Sequence, residues 1–63
     1  MEITETLESF GKDGKNHKEV EAIFYTHDIH EETLVEIEGN TFTIEEVSRI
    51  LEIMKFVDKI NKD

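Results

Sequence analysis

Two histidines and three carboxylates stand within six consecutive residues, His27-Asp28-Ile29-His30-Glu31-Glu32, a dense cluster of potential ligands. Imidazole and carboxylate together suit zinc or another divalent ion. His27 and His30, at i and i+3, would share a face on one helical turn but fall on opposite faces of a strand. A third ligand would have to be fixed by packing, and the HExxH spacing of metalloproteases is absent. Solvated loop histidines beside acids are the ordinary form of this pattern, so no metal and no cofactor is expected. Gly11-Lys12-Asp13-Gly14-Lys15-Asn16 resembles a phosphate loop only superficially. The Walker pattern needs four residues between Gly and Gly-Lys and a following Ser or Thr; here two intervene and Asn follows. Ser9 and Ser48 lie in no nucleophile-elbow motif. A chain of 63 residues also has little room for a deep, water-excluding pocket. Enzymatic activity is not expected.

What remains is charge. The chain holds 16 acids against 7 bases, a net charge of −9, and no cysteine. Disulfides and thiolate metal sites are therefore excluded. Residues 1–18 balance at −1, residues 49–63 at +1, and residues 19–48 at −9 with no Lys or Arg at all. A field this one-sided attracts basic partners and repels nucleic acid, so direct DNA or RNA binding is not expected. The opening residues, MEITETLESF, lack the basic and apolar regions of a secretory signal. No apolar run approaches the roughly 20 residues of a membrane span. A cytoplasmic protein is expected.

The elements that must position these charges follow from periodicity. With no proline, repeat or low-complexity tract, residues 1–63 read as a single small acidic α+β domain. Ile3, Leu7 and Phe10 recur at i, i+4 and i+7 before Gly11, which predicts a short N-terminal helix, with a strand as the competing reading. Gly11–Asn16 reads as a turn. In Glu19–Thr26, Val20, Ala22 and Phe24 alternate onto one strand face, with Glu19, Glu21, Ile23 and Tyr25 on the other. Thr33–Ile44 reads as a hairpin turning at Gly39-Asn40, with Leu34, Glu36 and Glu38 sharing its outer face. Thr43 and Glu46 form a capping box, so a helix should start there and run to about Asn61. The expected fold is thus a small antiparallel sheet of about three strands with a C-terminal amphipathic helix.

That helix is too apolar for one face. Ile44, Val47, Ile50, Leu51 and Met54 form one stripe, and Ile53, Phe56, Val57 and Ile60 form a second beside it. A small sheet covers one stripe only. A cysteine-free chain this short also lacks the usual staples of small domains, so a homodimer sealed by Ile53, Phe56, Val57 and Ile60 is expected.

The acidic block then supplies the candidate partner surface: Glu19, Glu21, Tyr25, Asp28, Glu31, Glu32, Glu36 and Glu38. Glu19/Glu21 and Glu36/Glu38 are strand-alternate pairs, each about 6.6 Å apart at 3.3 Å per residue. This is of the order of the spacing between successive phosphates on one nucleic-acid strand. Ile23, Tyr25 and Leu34 add apolar anchors on the same face. In size, charge and expected architecture the chain resembles small acidic host-takeover proteins of bacteriophages, of the DNA-mimic type. Inhibitors of the HU-type histone-like protein are the nearest in character. The resemblance implies a dimer in the host bacterial cytoplasm whose carboxylates occupy the DNA-binding surface of a basic, HU-like host protein. The competing expectation is an antitoxin-like or adaptor protein that grips its partner through the apolar helix.

Overall fold

The computed structural model of the chain describes residues 1–62. Strands β1 (Glu2–Phe10), β2 (His17–Thr26), β3 (Thr33–Ile37) and β4 (Asn40–Thr43) lead into one helix, α1 (Ile44–Lys62). The strands lie side by side in chain order and pair antiparallel throughout. The architecture is α+β as expected, but with four strands, and the N-terminal segment is strand rather than helix.

Residues Ile3 and Leu7 explain that difference. Four residues apart, they share a face in either conformation, so the spacing does not discriminate. As a strand, all nine residues of β1 pair with β2, from Glu2 opposite Tyr25 to Phe10 opposite His17. A nine-residue helix standing alone would be marginal in water. The chain reverses through Gly11–Asn16, where the Gly11 N–H donates to the Asn16 carbonyl at 2.8 Å and Gly14 takes φ +72°.

The second hairpin turns one residue earlier than its sequence predicts. Ile37 pairs with Asn40, which leaves Glu38 and Gly39 as the two turn residues, with φ of +49° and +81°. Positive φ at both positions is the signature of a type I′ turn, whose twist matches the flanking strands. This register sets Val35 opposite Phe42 and Phe24 opposite Val35, aligning three apolar side chains in one row. Glu38 therefore sits at the turn and not on the sheet face with Glu36.

The predicted capping box is formed in full. The Thr43 N–H donates to Glu46 Oε1 at 2.9 Å, and the Glu46 N–H donates to Thr43 Oγ1 at 3.2 Å. Glu45 and Glu46 in the first turn and Lys59 and Lys62 in the last complement the helix dipole.

Alternation divides the sheet into two unlike faces. One carries Ile3, Leu7, Val20, Ala22, Phe24, Val35, Ile37 and Phe42, interrupted by Glu5 and Lys18. Only Ala22 and Val35 on this face are buried. Helix α1 leaves β4 and makes its main sheet contacts there. Its base leans over the corner of the apolar face, where Val47 and Leu51 face Phe24, Val35 and Phe42 across an open groove of about 270 Å³. No helix residue is buried. The result is an extended particle, 44 × 25 × 15 Å.

Candidate functional site: the acidic sheet face

The opposite face of the sheet gathers acids. Glu19 and Glu21 project from β2 on this side, and Glu36 projects from β3 opposite Ile23. Strand β1 adds Glu8 directly opposite Glu19, and Glu2 opposite Tyr25. No Lys or Arg lies on this face, because Lys18, the one such residue in the four strands, points to the apolar side. Glu36 is half-buried, whereas Glu8, Glu19 and Glu21 are exposed.

Like charges directly opposite each other destabilise a strand pair. The Glu8–Glu19 pair therefore works against the fold. Part of the repulsion is relieved by His17, whose Nδ1 lies 2.7 Å from Glu8 Oε1 while its ring meets Phe10 edge-on at 4.6 Å between centroids. Both Glu8 and Glu2 escape the sequence reading, because a helical N-terminus would not align them with Glu19 and Tyr25. The signal that would have found them is their even spacing, with Thr4 and Thr6 between them on the same strand face.

The remaining acids are distributed differently. Asp28, Glu31 and Glu32 are exposed on the β2–β3 connection, at the far end of β2 from Glu19. Seven residues separate Glu19 from Thr26, about 23 Å along the strand. The carboxylates thus form two groups. Glu8, Glu19, Glu21 and Glu36 occupy the sheet, and Glu2 lies toward the loop acids. Between the groups run Ile23, Tyr25 and Leu34, all half-buried. Glu38 belongs to neither group. Its Oε1 accepts a 2.8 Å hydrogen bond from Lys18 Nζ, and this bond, with the coulombic attraction, raises the Lys18 pKa above its ordinary value.

The histidine-rich segment is built as a loop. The His27 N–H donates to the Glu32 carbonyl and the Glu31 N–H to the His27 carbonyl, both at 2.8 Å, with Glu31 at φ +50°. His27 Nδ1 accepts from the Ile29 and His30 N–H groups at 3.2 and 3.4 Å. One ring nitrogen of His27 thus holds the turn together. Among the described residues no group of three His, Asp or Glu is placed to hold a metal ion.

The predicted interface residues Ile53, Phe56, Val57 and Ile60 all lie on α1, each about half exposed or more. No described helix is long and apolar enough to cross a membrane. Comparison with known proteins finds no family model, curated protein or solved structure that matches the chain.

Proposed function

We propose that the protein is a DNA mimic that occupies the basic nucleic-acid-binding surface of a bacterial host protein and blocks its access to DNA. A histone-like protein of the HU type is the favoured target, met in the cytoplasm. The observation that carries this reading is the segregation of charge by strand register. Carboxylates from three strands converge on one face without a single Lys or Arg, including a Glu8–Glu19 pair that costs the fold stability. A coat that serves solubility alone intersperses both signs. Ile23, Tyr25 and Leu34 supply apolar contacts beside the charges. The mimic acts by binding, with neither a cofactor nor direct contact to nucleic acid.

Capture from bacterial lysate on the immobilised protein tests this. A basic DNA-binding protein should be retained at low salt, released by salt and by duplex DNA, and lost when Glu19, Glu21 and Glu36 are reversed to Lys. Equal retention by wild type and reversed protein contradicts the proposal.

One observation favours the second reading, an antitoxin-like or adaptor protein. Helix α1 has no buried residue, so its apolar stripes are open to a partner. That reading predicts binding insensitive to salt and abolished by Phe56→Glu or Ile60→Glu, with the glutamates dispensable.

A further inference from the structure

A folded monomer of 7.4 kDa exposes about 4,200 Å² by the scaling of surface with mass. This chain exposes 5863 Å², an excess of about 1,650 Å². Large apolar side chains stand exposed in two places. One is the helix, where Ile50, Leu51 and Met54 of the inner stripe are about as exposed as Ile53, Phe56, Val57 and Ile60 of the outer. The other is the part of the apolar sheet face on β1 and β2, where Ile3 is 50 %, Leu7 45 % and Phe24 39 % exposed. Of that area the chain's own helix reaches only Phe24, at the groove beneath Val47 and Leu51, since its sheet contacts centre on β4.

We propose that a second copy of this chain covers it, laying the outer stripe of its helix across Ile3, Leu7 and Phe24 while its own sheet receives the first copy's helix. Three features of the molecule support this occupant. Doubling the excess gives about 3,300 Å² of shared surface, within the range of obligate homodimers and well above that of a transient contact. Each copy also has an open apolar sheet face and a helix whose two apolar stripes are both open, so a two-fold exchange of helices covers the sheet face of each copy and closes. A seam of two helices alone would leave the sheet face in water. The lengths agree as well. The 19 residues of α1 span about 28 Å and the ten of β2 about 33 Å. Charge sets the orientation. The only charged strand residues on the apolar face are Glu5 and Lys18, whereas stacking the opposite faces would set acids against acids. Apolar faces therefore meet, and both acidic faces remain outward.

The proposal does not depend on the acidic-face reading and is tested without any basic partner. Because the chain has no cysteine, single cysteines report position without background. Leu7→Cys and Phe56→Cys are prepared separately, mixed, allowed to exchange subunits, and treated with a short thiol-reactive crosslinker. Wild type should sediment at micromolar concentration with twice the 7.4 kDa chain mass. The mixed product, one Leu7→Cys chain joined to one Phe56→Cys chain, should dominate over like-with-like products. Ile3→Cys in place of Leu7→Cys should give the same pattern, which guards against one badly placed or misfolded variant. A monomeric wild type overturns the proposal. So does crosslinking of Phe56→Cys only to itself, which would mark a helix seam without the sheet. An exclusively intrachain product from the double variant Leu7→Cys/Phe56→Cys also overturns it, because the helix would then fold onto its own sheet.

Discussion

Replacing Glu19 by Gln sets the fold against the proposed function. Glu19 stands opposite Glu8 across β1 and β2. Cβ atoms of such a pair are about 4.5–5.5 Å apart, and like charges there destabilise by roughly 0.2–1 kcal/mol. Coulomb's law gives about 0.8 kcal/mol for two charges 5 Å apart in bulk water. The His17 contact to Glu8 blunts this, so about 0.5 kcal/mol of stabilisation is expected on removing the Glu19 charge. For a chain of this size that raises the melting temperature by about 2–4 °C. Thermal melts of both proteins must be compared at one concentration, since an oligomer's melting point depends on it. Affinity for the basic target should move the other way, falling by about tenfold, or 1.4 kcal/mol. A variant that melts no higher than wild type refutes the opposed-charge argument. A variant that melts higher yet binds equally well removes Glu19 from the binding surface.

Other perturbations follow from single contacts. Thr43→Ala removes the helix cap and should cost about 1 kcal/mol in urea unfolding, with a smaller loss for Glu46→Ala. Glu38→Asn creates Asn-Gly, the favoured pair for a type I′ turn, and should stabilise by about 0.5 kcal/mol despite losing the exposed Lys18 contact. His27→Asn/His30→Asn should leave circular dichroism and partner binding nearly unchanged, because a side-chain amide oxygen introduced in place of the His27 ring can accept the same local N–H groups. Activity lost in that variant and restored by added zinc would show that the histidines serve a metal instead.

The helix was legible because its signals are local. A capping box needs only Thr43 and Glu46, and both of its hydrogen bonds are present. The alternation of Val20, Ala22 and Phe24 against Glu19, Glu21, Ile23 and Tyr25 was legible for the same reason. The N-terminal strand was not, since Ile3 and Leu7 satisfy both periods and the deciding factor is non-local pairing with β2. The turn at Glu38-Gly39 was displaced by one residue because a glutamate in the left-handed region is uncommon, whereas Gly-Asn is a familiar turn pair. That shift removed Glu38 from the acidic face. Pairing of β1 brought Glu8 and Glu2 into it. The charge of the site was therefore readable from composition, but its membership depended on register.

Competition for a DNA-binding protein tests the central claim most directly. Labelled duplex DNA is bound to an HU-type protein, and the acidic protein is titrated in at about 0.05 and 0.2 M salt, with fluorescence polarisation as the readout. The account predicts that free DNA is released in a single competitive isotherm. Inhibition should be stronger at the lower salt and lost in the Glu19→Lys/Glu21→Lys/Glu36→Lys protein. DNA that stays bound at saturating wild type, or is displaced equally by the reversed protein, contradicts it.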